Sequence, residues 1–385
     1  MTFIPYARHE IDADDIAAVV AVLQGDWLTT GPIVGRFEEA FAAFVGAPRA
    51  VACANGTAAL HLCMLAAGIG PGDEVIVPAL TFVATANCAR YVGATPVFAD
   101  VREDTLTIDP AHVASLVTPR TKAIIAVDYG GCPADYDELR EICSRHGLLL
   151  VADACHAPGA EYRGRRVGSI ADLSTFSFHP VKHLTTAEGG MVTTADATLA
   201  DRLARLRNHG IDSDHRRREA AGTWRYDAVE LGFNYRLNDV QCALGLSQLA
   251  KLPQWVARRR EIATAYNAAL AENPALRLPT VPSDRSSGWH LFPLRLTGDD
   301  PAPRRAAVFT TLRDQGIGVN VHYLPVYLHS SYAEAGYRQA LCPIAEDAYE
   351  RLLSLPMWHG MTDEQVSRVT DAVSAIADLP AATVS

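Results

Sequence analysis

The feature that most constrains the fold is an alternation of short apolar runs with helical patterns between residues 50 and 194. The run 148–152 is apolar throughout, which is typical of a strand buried on both faces of a parallel sheet. Further strands are predicted over 50–54, 74–78, 95–100 and 122–127, and helices over 110–117 and 133–146. This alternation favours an α/β fold with a mostly parallel sheet between layers of helices.

The chain has 385 residues, which is long for one core and favours two domains. A helix over 239–252 is predicted to stop at Pro253, and a second helix is predicted over 254–271. We therefore expect a large domain over 1–253 and a smaller α+β domain over 254–385. In the small domain we expect strands over 289–296 and 318–321, with helices over 303–315 and 363–376.

Composition excludes several classes of function. A net charge of -10 argues against a nucleic-acid-binding surface. The sequence contains neither an apolar run long enough to span a membrane nor a signal-peptide pattern, so we expect a cytoplasmic protein. The eight cysteines are scattered, and no cluster has metal-ligand spacing, so we expect neither disulfides nor a metal. The basic run 215–218 is expected to be a solvated part of a polar loop over 211–223.

Two charged residues follow predicted strands in the middle of the chain. Asp153 ends the buried strand, which is where α/β proteins place ligands, although it could equally cap the next helix. Lys182 lies between strands predicted near 174–177 and 191–194, and Gly189 and Gly190 predict a tight return. A lone lysine is most often a surface residue. Together with Asp153, however, Lys182 indicates a nucleophile for a carbonyl such as pyridoxal phosphate.

Other candidate residues lie at predicted turns. A strand, a glycine turn and a helix start at Gly56, Thr57 and Ala58 could bind a phosphate, although the same pattern also caps helices. Phe82, at a strand-to-helix junction, is either a core aromatic or a ligand contact. Asp128 could line the site or support a turn.

The motifs around Lys182 and Asp153 resemble those of the DegT family of sugar-nucleotide aminotransferases. The lysine motif is Ser-Phe-His-Pro-Val-Lys followed by Glu-Gly-Gly, at 177–182 and 188–190, and the aspartate motif spans 153–160. The resemblance covers nearly the whole chain. It implies the pyridoxal-phosphate-dependent transferase fold of type I (aspartate-aminotransferase-like), a large domain with a mostly parallel sheet, and a homodimer with shared active sites.

The resemblance also implies a role for each candidate residue. Lys182 would hold the cofactor and move protons, Asp153 would keep the ring nitrogen protonated, and His156 would contact the phenolic oxygen. The cofactor phosphate would be held by Gly56, Thr57, Ala58, Ser177 and, from the other subunit, Asn234, while Phe82 stacks on the ring. On the substrate side would lie Arg236, His322 and Tyr323. Arg236 could equally form an interface salt bridge.

The implied reaction is amino transfer, with glutamate as the expected donor, to a nucleotide-linked keto sugar. Segments 177–190, 236–249 and 321–327 most resemble the members that act in the pseudaminic-acid pathway on a UDP-linked 4-keto-6-deoxy sugar. Alternatives are another sugar nucleotide, such as a dTDP-linked 3- or 4-keto sugar, or a non-catalytic cofactor-binding regulator. A desulfurase-like lyase would need a mobile nucleophilic cysteine, for which Cys342, beside Pro343, is the candidate.

Overall fold

The computed structural model describes residues 2–213 and 215–378, although of the side chains at 215–217, 377 and 378 nothing is described. Within these residues the strands are β1 Arg49–Cys53, β2 Glu74–Pro78, β3 Thr95–Ala99, β4 Thr121–Val127, β5 Leu149–Asp153, β6 Glu161–Tyr162, β7 Arg165–Arg166, β8 Leu173–Ser177, β9 Gly190–Thr194, β10 Leu276–Arg277, β11 Arg285–Ser286, β12 Phe292–Leu296 and β13 Leu352–Leu355.

The α-helices in the described residues are α1 Ala13–Leu23, α2 Pro32–Val45, α3 Gly56–Ala66, α4 Ala84–Tyr91, α5 Pro110–Leu116, α6 Tyr136–His146, α7 Ala197–Leu206, α8 His215–Ala220, α9 Asp239–Leu270, α10 Pro301–Asp314, α11 Ser330–Ala333, α12 Pro343–Arg351 and α13 Asp363–Ser374. Caps fix several helix starts. Asp12 begins α1 with a reciprocal capping box, and Thr362 does the same for α13.

The central sheet has seven strands in the order β1-β9-β8-β5-β4-β2-β3. The pairs β5 with β8, β4 with β5, and β2 with both β3 and β4 are parallel, and only β9 runs against the others. The predicted α/β class with a mostly parallel sheet is therefore confirmed. Because six strands point the same way, their carboxyl ends meet at one edge of the sheet.

Apolar side chains form three clusters. Two cover the faces of the central sheet, one including α3 and α4 and the other α2, α6 and the first half of α9. The third includes the second half of α9, α10, α13 and the three-stranded sheet β10-β12-β13, together with Ile4 from the start of the chain. Residues 326–352 contribute side chains to the first cluster. The division at residues 253 and 254 stays a prediction.

Three local predictions were wrong. The helices expected on either side of Pro253 are one helix of 32 residues, because contacts with α1, α2 and α13 hold both halves and offset the lost hydrogen bond. Residues 318–321 form no strand; Asn320 makes only an isolated bridge to Ser354. The loop expected over 211–223 contains α8. None of the helices in the described part of the chain is long and apolar enough to cross a membrane.

Candidate active site

A cavity of about 700 Å³ opens at the carboxyl edge of the central sheet. The loops after β1, β2, β5 and β8 line it together with His290 and residues 320–324. Of the residues predicted for the site, those that line this cavity are Gly56, Thr57, Phe82, Asp153, His156, Ser177, Lys182, His322 and Tyr323. The fold thus gathers predicted site residues that lie as much as 267 residues apart, from Gly56 to Tyr323.

Lys182 is one of three lysines in the chain. Lys122 is exposed on β4, and Lys251 pairs with Asp12 and Asp15. Only Lys182 lines the cavity, and no hydrogen bond to its ammonium group occurs among the described residues. Burial lowers the pKa of Lys182, while Cys155 and Asp153 oppose that shift. A lysine amine in such surroundings is available as a nucleophile or base.

The loop between β8 and β9 presents Lys182 by a set of short local bonds. The Lys182 amide donates to the carbonyl of His179 at 2.8 Å, and the Phe178 amide donates to the carbonyl of Gly189 at 2.8 Å. His183, which also lies in this loop, connects it to a distant segment, because its Nε2 is hydrogen-bonded to the carbonyl of Gly288 at 2.7 Å. The lysine therefore lies on a loop between two antiparallel strands, as predicted.

The paired glycines serve close packing rather than a tight return. A Cβ on Gly190 would lie 2.4 Å from the carbonyl oxygen of Asn55, and one on Gly189 would lie 2.1 Å from Oγ1 of Thr186. Because backbone cannot yield at Gly190, a side chain there would push the lysine loop away from the turn at Asn55. These glycines hold the two halves of the site together.

Asp153 lies at the end of β5, almost fully buried, with its carboxylate held by two donors. The Thr85 hydroxyl donates to Oδ2 at 2.7 Å, and the Cys155 amide donates to Oδ1 at 3.3 Å. The next α-helix along the chain is α7, at Ala197–Leu206, so Asp153 does not cap a helix. Its carboxylate faces the cavity that holds Lys182.

The turn after β1 leads directly into α3. Asn55 caps this helix, and its side chain accepts the Ala58 amide at 2.8 Å. The amide of Ala58 is thereby engaged within the chain, whereas Gly56 and Thr57 line the cavity. A Cβ on Gly56 would lie 2.9 Å from Cβ of Ser177, so glycine is what allows the helix start and Ser177 to converge. This arrangement suits an anion such as a phosphate.

Aromatic side chains form one wall of the cavity. Phe82 is 54% exposed although it follows a fully buried strand, and its ring centroid lies 6.0 Å from that of Tyr323. The core alternative for Phe82 is therefore wrong in this chain. An exposed aromatic face inside a concave site is suited to stacking on a flat ring.

Histidines form a second wall, and burial keeps them neutral. The rings of His156 and His290 are 4.4 Å apart, and His156 Nε2 lies 3.3 Å from the Tyr323 hydroxyl. Burial and the nearby Lys182 lower the pKa values of both histidines well below the usual range. Burial and Lys182 likewise lower the pKa of His322 to about 4. At neutral pH these rings present neutral donors and acceptors.

Ala58, Asn234 and Arg236 do not line the cavity of their own chain. Asn234 is exposed, and Arg236 lines a separate cavity of about 520 Å³, where it donates to Asn208 at 2.8 Å. Asp128 is fully buried and bonds Ala134 and Tyr136, which is a turn role, and burial raises its pKa to about 7. Cys342 is fully buried, and burial raises its pKa to about 12, which argues against a mobile nucleophile.

Sequence reasoning missed several residues that line the cavity or support residues that do. Thr85 lies one helical turn after Phe82, and that spacing could have indicated it. His183 follows Lys182 directly and could have been noted for that reason. Nothing in the sequence near Tyr6 or His290 signals a site, since both reach it from distant segments.

The residues present fit pyridoxal phosphate. The cavity combines an amine of lowered pKa, a carboxylate held by donors, a helix start facing it and an exposed aromatic ring. His156 adds a buried Nδ1 with no partner among the described residues. Fold and site together define the class of α/β enzymes that use this cofactor.

Comparison with known proteins gives the family. A model of the DegT/DnrJ/EryC1/StrS aminotransferase family matches residues 9–374. The chain is 43% identical over 377 residues to the spore coat polysaccharide biosynthesis protein SpsC of Bacillus subtilis, covering 97% of each chain. The chain belongs to this family and is a pyridoxal-phosphate-dependent sugar aminotransferase.

Solved structures agree with this assignment. Spr1654 of Streptococcus pneumoniae, described as a sugar aminotransferase and solved in its PMP form, superposes with a TM-score of 0.93 at 31% identity, covering 97% of this chain and 99% of that chain. PseC of Helicobacter pylori, an aminotransferase involved in the biosynthesis of pseudoaminic acid, gives a TM-score of 0.91 at 33% identity, covering 98% and 100%.

Proposed function

We propose that this aminotransferase moves an amino group from glutamate to the keto carbon of a UDP-linked 4-keto-6-deoxy sugar. The observation that carries the proposal is the set of side chains that line the cavity, among which the charged ones in the described part of the chain are Lys182, Asp153 and Glu188. Tyr6, Asn320 and neutral histidines line it, and no arginine is among its described lining residues. Such a surface suits the hydroxyls of a sugar, and in the proposed dimer Arg236 of the other subunit would supply the cation for the carboxylates of glutamate.

Two further observations support this choice of sugar. The loop 177–190 resembles that of the pseudaminic-acid transaminases, with Thr-Thr-Ala before Glu188. PseC, an aminotransferase involved in the biosynthesis of pseudoaminic acid, matches 98% of the chain. SpsC, however, is more similar in sequence and is named for spore coat polysaccharide biosynthesis. A different sugar nucleotide is therefore the second candidate.

Lys182 is the proposed acid–base group. Bound pyridoxal phosphate supplies an electron sink at the carbon that loses or gains a proton. Lys182 removes the proton from the α-carbon of the amino donor, and later delivers a proton to the sugar carbon that receives nitrogen. Its lowered pKa increases the fraction of free amine at neutral pH, and a positioned base typically contributes about 10²–10⁴-fold in rate.

The other proposed roles follow from position. Asp153 would pair with the protonated ring nitrogen, and Phe82 would stack on the ring; both residues line the cavity. The amides of Gly56 and Thr57 would bind the phosphate with Ser177, next to Ala58, whose own amide is engaged by Asn55. His156 would contact the phenolic oxygen. His322 and Tyr323, which also line the cavity, would contact the sugar.

A homodimer with shared sites is proposed because part of the predicted site faces outward. Asn234 is exposed, and the segment before it exposes apolar side chains, including Trp224 at 89% and Leu231 at 86%. Large exposed apolar residues of this kind mark interaction surfaces. In the proposed dimer, Asn234 and Arg236 of one subunit serve the cavity of the other. The cytoplasmic location stays a prediction.

The test is incubation of purified protein with pyridoxal phosphate, glutamate and a panel of UDP- and dTDP-linked keto sugars, followed by mass spectrometry. We expect the ketone-to-amine mass change only for the UDP-linked 4-keto-6-deoxy-N-acetyl sugar. Amination of a dTDP sugar instead would favour the second candidate. Replacing glutamate by other amino acids tests the donor in the same assay.

A further inference from the structure

A chain of two buried hydroxyls ends on Asp153. Thr81 and Thr85 are one helical turn apart, and their Oγ1 atoms are 2.8 Å from each other. Thr85 Oγ1 lies 2.7 Å from Oδ2 of Asp153, across 68 residues of sequence. All three side chains are buried, and Thr85 is 0% exposed.

The direction of the two hydrogen bonds follows from chemistry. A carboxylate only accepts, so Thr85 spends its single proton on Asp153. Thr85 then has only lone pairs to offer Thr81, so Thr81 is the donor in the hydroxyl pair. The chain therefore runs Thr81 to Thr85 to Asp153, and each donor aligns the next.

The orientation of the Asp153 carboxylate depends on this series of hydrogen bonds. The other protein donor to the carboxylate, the Cys155 amide, is longer at 3.3 Å. Thr85 itself is fixed, because its amide donates to the carbonyl of Phe82 at 3.1 Å and its carbonyl accepts from the thiol of Cys88 at 3.1 Å. One short segment therefore presents an aromatic face, at Phe82, and orients the carboxylate, through Thr85.

We propose that Thr85 is a positioning residue for the cofactor: its hydroxyl holds the Asp153 carboxylate at the angle that meets the pyridine ring nitrogen. Thr85 does not line the cavity and acts through Asp153. The inference rests on the proposed role of Asp153, since without that role the orientation of the carboxylate would have no consequence for the bound ring.

The variant that tests this is Thr85→Val, which keeps the shape and removes the donor. Thr107→Val is the matched control, because Thr107 is also buried in a hydroxyl pair, with Thr105 at 2.8 Å, and neither residue lines the cavity. Thr85→Ser restores the hydroxyl, and Thr85→Ala removes the donor by a second route in case the valine variant does not fold. The readouts are Tm without cofactor, the dissociation constant for pyridoxal phosphate, and the visible spectrum of bound cofactor against pH.

We expect Thr85→Val and Thr85→Ala to weaken cofactor binding about tenfold or more, as for loss of a hydrogen bond to a charged group, and to shift the pH dependence of the visible spectrum. Thr85→Ser and Thr107→Val should retain the native affinity and spectrum. A lower Tm of Thr85→Val, with an unchanged dissociation constant for pyridoxal phosphate and an unchanged visible spectrum, would show that Thr85 has only a structural role and would overturn the proposal.

Asp153→Asn separates this inference from the assignment beneath it. If Asp153→Asn alters the spectrum and Thr85→Val does not, the inference about Thr85 is wrong and the role of Asp153 stands. If Asp153→Asn leaves the spectrum and the affinity unchanged, the role of Asp153 is wrong and the inference falls with it.

Discussion

Lys182 owes its chemistry to its surroundings rather than to its residue type. The other two lysines are exposed or paired with carboxylates, whereas Lys182 lines a cavity in which burial lowers its pKa. The same burial keeps the neighbouring histidines uncharged, so the amine is not surrounded by further cations. At this scale the site is a set of titrating groups whose charge states the fold decides.

Replacing the lysine tests its role directly. Lys182→Ala should lose both amino transfer and the visible absorbance of covalently held cofactor, because no other amine among the described residues lines the cavity. Absorption spectroscopy after removal of free pyridoxal phosphate is the measurement. Lys122→Ala, on an exposed position of β4, is the matched control and should keep the native spectrum. An unchanged spectrum in Lys182→Ala would show that the lysine is misassigned.

His359 offers a test of buried neutral histidines away from the cavity. Its ring stacks on Trp255 at 4.1 Å, and burial together with Arg259 lowers its pKa to about 3, although Glu10 lies 3.3 Å away at a half-exposed position. The unfolded chain binds this proton near pH 6.5, the folded one near pH 3. Stability is therefore lost as pH falls from about 6.5 towards 3.

We predict that replacing His359 changes how steeply the free energy of unfolding depends on pH between about pH 6.5 and pH 3. His359→Gln should reduce the pH dependence of the free energy of unfolding by up to about 1.4 kcal/mol per pH unit between pH 6 and pH 4. Urea denaturation at several pH values measures it. His9→Gln, on the exposed surface, is the control. Equal slopes for native protein and His359→Gln would contradict the neutral state of this histidine.

At the scale of elements, α9 ties the molecule together. Its 32 residues pass Pro253 without a break, packing on α1 and α2 in the first half and on α13 in the second. Gly245 lets α2 approach, because a Cβ there would lie 2.6 Å from Cζ of the fully buried Phe37. The distance between α2 and α9 thus depends on the absence of a side chain at Gly245.

Two glycine-to-alanine changes in helices should act in opposite directions. Gly245→Ala should lower the free energy of unfolding by about 1 kcal/mol or more, since overpacking exceeds the gain in helix propensity. Gly35→Ala in α2 should raise it by about 0.5–1 kcal/mol, because an added Cβ there meets no atom within 4 Å. Chemical denaturation of both variants measures this. Stabilisation by both would show that α2 and α9 are not as closely packed as described.

At the scale of the whole molecule, the proposed dimer completes each site with residues of the other subunit. This follows from the outward position of Asn234 and the exposed apolar segment before it. Within one chain the cavity already holds the lysine, the aspartate and the helix start. What the partner would add is hydrogen bonds to the phosphate and, through Arg236, a cation for substrate anions.

Mixing two inactive variants tests the shared site. Lys182→Ala and Asn234→Ala should each be impaired. Unfolding and refolding the two variants together should restore about a quarter of the native number of sites. In a C2 dimer half of the refolded dimers are mixed, and each mixed dimer carries one intact site of two. Activity and bound cofactor are measured before and after mixing. A monomer with full activity, or no recovery in mixed dimers shown to form, would refute the shared site.

The sequence by itself determined the local features of this protein. Apolar runs and helical periods predict most strands of the central sheet and most helices beside it. The residues flanking Lys182 and Asp153 indicate the cofactor without knowledge of the fold. These signals are local, since they depend on neighbouring residues. The general rule that ligands bind at the carboxyl ends of parallel strands then relates the predicted strand ends to one site.

Only the tertiary structure decided which distant groups meet. Thr85 reaches Asp153 over 68 residues, and His183 reaches Gly288 over 105. Gly190 allows a close contact with the turn at Asn55 that no local pattern reveals. The continuity of α9 through Pro253 is likewise set by helices packed on it. Packing and burial are properties of the folded chain, and local propensity yields to them wherever they contribute more free energy.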